Sequence, residues 1–297
     1  MSKRVLVTGS EGFTGRYVCA ELERDGWEVW GAGSQLQPEN PRYLYIDLLQ
    51  PETLSAIVEV VRPEVVIHLA ASAFVAEGDP TIFYRVNLIG TRNLLEVLST
   101  AKTCPTCTIL ASSANVYGNA SNEVIGEDEP LQPTNDYAVS KLAMEYLARI
   151  YMDRLGIVIT RPFNYTGIGQ SERFLIPKIV AHFRAKAPVI ELGNLDVARE
   201  FCDVRDIAGY YRQLAQSQPR GETVNLCSGH THTLTDVLNM ASDITGHRLD
   251  VQVNPDFIRQ NEVKRLCGDN SKLKKILSAS VAYELSDTLL WMLADES

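Results

Sequence analysis

The chain has 297 residues, of which 45% are hydrophobic and 22% charged. This composition supports a large buried core and excludes a disordered chain, a collagen and a disulfide-stapled miniprotein. The formal net charge of -9 at pH 7 repels polyphosphates, so we expect no nucleic-acid partner. No apolar run is long enough to cross a bilayer and the start lacks a signal-peptide pattern, so we expect a cytoplasmic protein with no membrane partner.

Strand and helix patterns alternate along the first half of the chain. Short strands are predicted at 5–7, 28–32, 43–46, 65–69, 107–111 and 157–160, and helices at 13–24, 52–61, 83–98 and 137–155. Helices of this length can cross over a parallel sheet. The alternation predicts an α/β fold, a Rossmann-type doubly wound parallel sheet, over residues 1–165.

The rhythm weakens after residue 165. Helices are predicted at 174–184, 204–215 and 234–245, with a strand at 189–192. We expect residues 166–297 to form mainly a smaller C-terminal substrate-binding lobe, with some segments returning to the Rossmann domain.

Three glycines at intervals of three, Gly9, Gly12 and Gly15, follow the first strand and open the first helix, with Phe13 and Thr14 between them. Such glycines allow a tight turn, a close approach of a pyrophosphate and close packing of helix and strand. An ordinary glycine-rich turn has the same composition. Strand, helix and N-terminal position together favour binding of NADP(H) or NAD(H).

The ends of the next strands supply further candidate cofactor contacts. The second strand ends in the uncharged segment 31–35, so the sequence leaves the choice between NAD and NADP open. Asp47, followed by Leu48, either contacts the adenine or caps the next helix. The fourth strand ends in three apolar residues that must pass close to the cofactor, namely Leu69, Ala70 and Ala71.

A tyrosine and a lysine four residues apart, Tyr137 and Lys141, share one face of the predicted helix. A free phenol titrates near 10, and a neighbouring ammonium lowers that pKa toward the range useful for acid and base catalysis. The same pair occurs by chance on solvated helices. Ser113 at the end of the preceding strand can donate to a substrate carbonyl, and with the glycine turn it completes a hydride-transfer constellation.

Metal chemistry is not indicated. The six cysteines suit a reducing compartment as small core residues, and Cys104 and Cys107 have the spacing of a metal or redox pair without a second pair or a nearby histidine. We therefore expect no metal site.

The motifs, taken in order, resemble the extended short-chain dehydrogenase/reductase family, nucleotide-sugar branch. They are Thr8-Gly-Ser-Glu-Gly-Phe-Thr-Gly15, Ser113-Ala-Asn-Val-Tyr-Gly118, Tyr137-x-x-x-Lys141 and Arg161-Pro-Phe-Asn164, and the likeness spans nearly the whole chain. Within the branch, the segments 163–170, 193–206 and 224–229 resemble GDP-6-deoxy-4-keto-mannose reductases, which form GDP-rhamnose.

The resemblance implies NAD(P)H-dependent reduction of the 4-keto group of a nucleotide-linked 4-keto-6-deoxyhexose, GDP-4-keto-6-deoxymannose being the expected substrate, by a homodimer formed through two long helices. It places Ser113, Tyr137 and Lys141 at the catalytic positions. It assigns the diphosphate or its sugar, and one ribose, to residues that otherwise form surface contacts: Asn164, Arg199, Arg259, Glu262 and, more weakly, Lys178.

Two departures from the family pattern bear on the substrate. Tyr165, Thr166 and Ile168 stand where related reductases often read His-Ile-Gly-Pro, which leaves the nearby sugar or nucleotide contact open. Asn115 stands where 4,6-dehydratases carry a carboxylate, and an amide cannot serve as that base. Two alternatives stay open, an NAD-dependent 4-epimerase with the same residues and a catalytically idle cofactor-sensing protein.

Overall fold

The computed structural model describes residues 3–37, 39–73, 79–120, 122–195, 197–255, 265–277 and 281–295. In chain order the strands are β1 (Arg4–Thr8), β2 (Glu28–Gly33), β3 (Tyr43–Tyr45), β4 (Val65–His68), β5 (Cys107–Ala111), β6 (Ile157–Pro162), β7 (Tyr165–Thr166), β8 (Val189–Leu192), β9 (Ala198–Arg199), β10 (Cys202–Asp203), β11 (Thr223–Leu226), β12 (His232–Thr233), β13 (Asp250–Val253) and β14 (Arg265–Leu266).

The helices follow the same order. They are α1 (Phe13–Arg24), α2 (Pro51–Val61), α3 (Thr81–Phe83), a π-helical segment (Tyr84–Gly90) leading into α4 (Thr91–Thr100), α5 (Asp136–Arg149), α6 (Leu175–Arg184), α7 (Val204–Ser217), α8 (Leu234–Thr245), α9 (Ser271–Leu277) and α10 (Leu285–Ala294), with a 3-10 turn at Ala114–Tyr117.

Seven parallel strands form the central sheet in the order β3-β2-β1-β4-β5-β6-β11. The order reverses between β1 and β4, and a ligand crevice opens at the carboxyl ends of strands at such a point. The strands are apolar along their length because both faces of the sheet are covered; all four residues of β4 are buried. The predicted Rossmann-type fold is confirmed.

Helices cover the two faces of this sheet. On one face α1, α7 and α9 bury Val18, Leu214 and Leu273 against β1, β4 and β5. On the other face α2, α4 and α5 bury their apolar sides, with Leu54 and Met144 in the same cluster as β6. β11, α7 and α9 come after residue 166, so C-terminal segments do return to the main sheet, while the boundary at residue 165 stays a prediction.

The rest of the C-terminal half forms a second apolar cluster. Side chains of α6, α8 and α10 pack there against β8, with Ile179, Val237 and Leu289 fully buried. Its sheets are small: β8 pairs with β13, and β9 lies between β12 and β14. We call this region the second lobe.

Helix α5 ends six residues before the predicted end at residue 155. Turns follow Arg149, yet Tyr151 and Leu155 remain almost fully buried. The apolar periodicity of this segment reflects the burial of these side chains in the sheet domain. It does not reflect a continuing helix. Within the described ranges, no helix is both long and apolar enough to span a membrane.

Candidate active site

The turn between β1 and α1 has the geometry of an anion cradle. Gly9 has a φ of +72°, and a Cβ on Gly9 would lie 2.8 Å from the backbone nitrogen of Ala70. A Cβ on Gly15 would lie 2.1 Å from the Gly9 carbonyl oxygen. Helix α1 starts after Gly12 with no side-chain cap and no acidic residue in its first turn. The first N–H groups of α1 can therefore receive a pyrophosphate.

Phe13 and Thr14 fasten this turn to the segment that leads into the second lobe. The Phe13 ring stacks on Tyr165 with centroids 6.0 Å apart, and the Thr14 Oγ1 and Tyr165 hydroxyl oxygens are 2.7 Å apart. Tyr165 departs from the family pattern, and its pairing with a residue 151 positions away carries no local sequence signal. Sequence patterns do not predict this contact, because neither residue stands out within its own segment.

The end of β4 passes directly beside the glycine turn. The backbone nitrogens of Leu69 and Ala70 donate to the carbonyl and hydroxyl oxygens of Thr8, at 3.1 and 3.3 Å. Ala71 follows and is exposed. The apolar end of β4 therefore lies beside the glycine turn, as predicted. Its contact with a cofactor stays a prediction.

The Asp47 carboxylate is hydrogen-bonded within its own loop. Its two carboxylate oxygens accept from the Leu49 backbone nitrogen at 2.9 Å and from Gln50 Nε2 at 2.8 Å. Leu48 is buried against Gly90 of the π-helical segment. Helix α2 has Gln50 as its N-cap residue and no side-chain cap, so the alternative that Asp47 caps this helix is wrong, and the adenine contact stays a prediction.

The three predicted catalytic residues meet at the carboxyl end of β5. Asn135 caps α5 by accepting from the Ala138 backbone nitrogen at 2.9 Å, which puts Tyr137 in the first turn and Lys141 one turn later. Lys141 Nζ donates to the Ala111 carbonyl oxygen at 2.7 Å and lies 6.0 Å from the centroid of the Tyr137 ring. Ser113 caps the 3-10 turn that follows β5.

The Tyr137 phenol is held in its protonated form. Burial raises the pKa of Tyr137 to about 12, Tyr165 adds to this shift, and a side-chain hydrogen bond with Ser113 opposes it. Part of the Tyr137 surface remains accessible, yet desolvation is still the largest influence. The same hydrogen bond shows that the hydroxyl groups of Ser113 and Tyr137 face the same space.

The expectation that Lys141 lowers the pKa of Tyr137 is wrong in this structure. Lys141 is 5% exposed, and burial lowers its own pKa to about 8 while Glu145 opposes that shift. Desolvation is the largest cause of both shifts, and neither residue is among the causes of the other's shift.

A buried ion pair fixes the helix behind these residues. Arg161 Nη2 on β6 lies 2.7 Å from Glu145 Oε2 on α5, and the Ser112 hydroxyl donates to Glu145 Oε1 at 2.5 Å. On the other side, Phe83 contacts the Tyr137 ring edge to face with centroids 5.7 Å apart. Removing either partner of a buried pair leaves an uncompensated charge, so these contacts hold the register of α5 on the sheet.

The residues predicted to contact the substrate lie on several separate elements. Asn164 lies between β6 and β7 and is half-buried. Lys178 on α6 donates from Nζ to the Glu191 carbonyl oxygen at 2.7 Å, and Arg199 on β9 donates to the Ala198 carbonyl oxygen at 3.1 Å. Arg259 and Glu262 lie outside the described residues. The substrate assignments stay predictions.

No cluster of three or more histidine, cysteine or acidic side chains that could hold a metal ion occurs in the part of the chain that the structure describes. All six cysteines are free thiols, and Cys104 is exposed while Cys107 is buried.

Comparison with known proteins places this site in a family. Residues 6–290 match the GDP-mannose 4,6 dehydratase family. The GDP-6-deoxy-D-talose 4-dehydrogenase of Aggregatibacter actinomycetemcomitans is 34% identical, covering 92% of this chain and 91% of its own length. The GDP-6-deoxy-D-mannose reductase of Pseudomonas aeruginosa is 32% identical, covering 99% and 97%.

Solved structures agree. A Burkholderia cenocepacia J2315 protein with a provisional epimerase name is 47% identical with a TM-score of 0.92, covering 98% of this chain and 97% of that one. The RMD protein of Pseudomonas aeruginosa in complex with NADPH is 28% identical with a TM-score of 0.83, covering 99% and 98%. Other solved relatives of this fold are complexed with NAD.

The fold and the site thus define a nicotinamide-dependent nucleotide-sugar enzyme of the extended short-chain dehydrogenase/reductase class. Within that class the chain belongs to the GDP-mannose 4,6-dehydratase family. The resemblance read from the motifs is confirmed, and so is the expectation of an NAD(P)-dependent enzyme.

Proposed function

We propose that the chain reduces the 4-keto group of a GDP-linked 4-keto-6-deoxyhexose with NADH or NADPH, and that the substrate is GDP-4-keto-6-deoxymannose. The observation that carries this proposal is that Ser113, Tyr137 and Lys141 meet at the carboxyl end of β5, with Lys141 Nζ 6.0 Å from the centroid of the Tyr137 ring. A protonated acid suits the reduction of a ketone, because the developing alkoxide needs a proton.

The chain's own residues divide the work. The bound reduced nicotinamide supplies the hydride that forms the new bond at sugar C4. Ser113 donates a hydrogen bond to the ketone oxygen, and Tyr137 transfers its proton to that oxygen as the alcohol forms. Lys141, which donates to the Ala111 carbonyl oxygen and lies 6.0 Å from the Tyr137 ring centroid, would hold the nicotinamide ribose and so place cofactor and acid in one geometry.

Asn115, two residues after the proposed catalytic serine, argues against dehydration, in spite of the family name. Asn115 is exposed in the 3-10 turn two residues beyond Ser113. A 4,6-dehydratase needs a base that removes a proton from the sugar, and an amide has no basic form near neutral pH. Reduction without dehydration needs only the acid that Tyr137 provides.

The names of the relatives support a GDP-linked substrate. The two curated relatives above act on GDP-6-deoxyhexoses, talose in one name and mannose in the other. These sugars are epimers at C4, so reduction of one ketone from its two faces gives both. We propose the manno configuration, GDP-rhamnose, as the product. Arg199 and Asn164, with Arg259 outside the described residues, are proposed to hold the diphosphate or its sugar.

The test is incubation of the purified chain with GDP-4-keto-6-deoxymannose and each reduced nicotinamide, followed by mass spectrometry and proton NMR. A product heavier by two hydrogens, with one reduced cofactor consumed per product, supports reduction. The coupling constants at C4 then separate the manno from the talo product. Unchanged substrate with all combinations would refute the proposal.

A 4-epimerase is the second candidate, favoured by the provisional name of the 47% identical neighbour. An epimerase begins by removing a proton from the sugar 4-hydroxyl, and Tyr137 would have to take that proton before it returns one. The same side chain would serve both reactions, so the fate of the cofactor separates them. An isomer of unchanged mass, formed without net consumption of reduced cofactor, would favour this candidate.

We also propose that the chain works as a homodimer. Four large apolar side chains are exposed on the π-helical segment and on or just after α5: Ile89, Val139, Tyr146 and Ile150. The last three follow one face of α5 at intervals of seven and four residues. Light scattering on the eluting protein should give twice the chain mass, and Ile150→Lys should shift it toward the monomer.

A further inference from the structure

The crevice at the ends of β1, β2 and β3 contains a carboxylate whose position there no sequence pattern predicts. Glu11 lies in the glycine turn, and its Oε1 accepts from the Ser34 backbone nitrogen at 3.3 Å. A Cβ on Gly33 would lie 2.0 Å from each carboxylate oxygen of Glu11. A negative charge therefore stands against the last residue of β2, although the segment 31–35 has none of its own.

One buried polar atom in this corner lacks a partner among the described residues. Ser10 Oγ is buried without a hydrogen bond, and Ser10 is 8% exposed. The Tyr43 hydroxyl beside it is held by Glu11 and the Gln35 backbone. Buried polar groups are normally satisfied, so the unpaired Ser10 hydroxyl indicates that a polar ligand completes it. The corner is thus built for hydroxyl or amide groups that the chain itself does not supply.

The field in this corner is negative. Burial and then the charge of Glu11 raise the pKa of Tyr43 to about 12. No lysine, arginine or histidine among the described residues lies within ion-pair distance of Glu11. An incoming anion would meet this charge without a compensating cation.

The fold dictates what comes to this corner. A pyrophosphate on the N-terminus of α1 places the adenosine ribose at the end of β2, where dinucleotide-binding domains recognise the ribose 2' position. NAD carries a hydroxyl there, which can donate to a carboxylate. NADP carries a phosphate there, with about two negative charges at neutral pH.

We propose that Glu11 sets the cofactor preference of this enzyme in favour of NAD(H). Its carboxylate accepts a hydrogen bond from the ribose 2'-hydroxyl and repels the 2'-phosphate of NADP(H). The charge comes from the glycine turn rather than from β2 itself, and it lies against Gly33 and Ser34 at the end of that strand. The inference rests on the dinucleotide part of the proposed function and not on the identity of the sugar.

The test is calorimetric titration of the full chain with NADH and with NADPH, which needs no sugar substrate. We expect the wild type to bind NADH at least tenfold more tightly than NADPH, roughly the discrimination that one close like charge supplies. Glu11→Gln keeps the size of the side chain and should narrow the ratio to about threefold or less, mainly by tightening NADPH.

Two further variants separate charge from shape. Gly33→Ala keeps the charge but pushes the Glu11 carboxylate aside, because the added Cβ would occupy its place; the ratio should fall between wild type and Glu11→Gln. Glu23→Gln removes the same charge from the exposed far end of α1 and should leave the ratio unchanged.

Equal affinity of the wild type for the two dinucleotides, or an unchanged ratio in Glu11→Gln, would overturn the inference. If NADH and NADPH bind equally while the sugar is still reduced, only this inference fails. If neither dinucleotide binds, the proposed function fails with it.

Discussion

The sheet domain and the second lobe are held together by different means. In the sheet domain the long apolar strands and the helices on both faces make the core, and a buried polar group such as His68 is satisfied by two threonines, Thr8 at 2.7 Å and Thr91 at 2.9 Å. In the second lobe the strands are short, and buried polar side chains join them to the neighbouring loops.

Glu200 is the clearest example in the second lobe. It is fully buried, and its carboxylate accepts from the Ser228 backbone nitrogen at 2.7 Å, from the Ser228 hydroxyl at 3.0 Å and from the backbone nitrogens of Gly229 and Gly268. Burial raises the pKa of Glu200, while these hydrogen bonds lower it. One side chain thus ties β9 to two loops.

Arg205 is a second polar anchor, at the contact between α7 and α10. Its guanidinium lies between the rings of Tyr283 and Trp291, 3.7 and 3.9 Å from their centroids, and pairs with Asp203. The predicted catalytic residues lie on the sheet domain, where parallel strands hold them in place. In the second lobe, a few polar anchors join the short strands to the loops.

The largest expected effect concerns the sheet domain. Tyr137→Phe removes the proton donor, and kcat for the ketone should fall about a thousandfold or more, in the range that general acid catalysis supplies. Calorimetry should show dinucleotide binding within about threefold of wild type, since the glycine turn is untouched. Tyr45→Phe, at an exposed tyrosine of β3, is the control. Turnover preserved in Tyr137→Phe would remove Tyr137 from the mechanism.

The second lobe should lose most stability when Glu200 is truncated. Glu200→Ala leaves backbone donors of Ser228, Gly229 and Gly268 buried without an acceptor, and the free energy of unfolding should fall by about 3 kcal/mol or more. Urea unfolding followed by fluorescence measures it. Glu59→Ala, at an exposed position of α2, should change stability by less than about 0.5 kcal/mol. Similar values for the two variants would contradict the anchoring role.

Two lysines compare the regions directly, since each donates to a backbone carbonyl oxygen at 2.7 Å. Lys141 is buried with a pKa lowered to about 8, so its charge costs on the order of 3 kcal/mol at neutral pH. Lys141→Met should raise the free energy of unfolding by about 1 to 3 kcal/mol at pH 7, even as activity falls. Lys178→Met, in the second lobe, should not stabilise.

The pH dependence gives the sign of the Lys141 effect. Between about pH 8 and 10.5 the unfolded chain holds the Lys141 proton more tightly than the folded chain, so wild-type stability gains with rising pH. The advantage of Lys141→Met is therefore full below pH 8 and vanishes above 10.5. Unfolding curves at pH 7 and pH 10 measure it, and an advantage that grows with pH would refute the assignment.

The smallest expected effect tests how far the sheet domain depends on apolar packing. The Thr108 hydroxyl on β5 is fully buried and has no hydrogen-bond partner among the residues that the structure describes. Thr108→Val replaces it with a methyl group of similar size, so stability should be unchanged or rise by about 1 kcal/mol. Thermal unfolding with matched baselines can resolve this. A clear loss would show that Thr108 bonds to a group the structure does not reveal.

Much of the site could be predicted from local patterns. The glycine turn and the Tyr137 and Lys141 pair depend on spacing within one strand-to-helix turn or one helix, and their positions follow once the strands are parallel. Helix α5 ended early because Tyr151 and Leu155 pack against the sheet without continuing the helix. Tertiary burial overrode the local period there.

By itself the sequence determined the parallel sheet, the glycine turn at its crevice and the candidate acid, because apolar runs and short-range spacings encode them. Only the tertiary structure decided that burial raises the pKa of Tyr137, that Glu11 faces the end of β2 and that Tyr165 meets Thr14. Desolvation and contacts between distant segments depend on what packs around a group, and no local pattern contains that information.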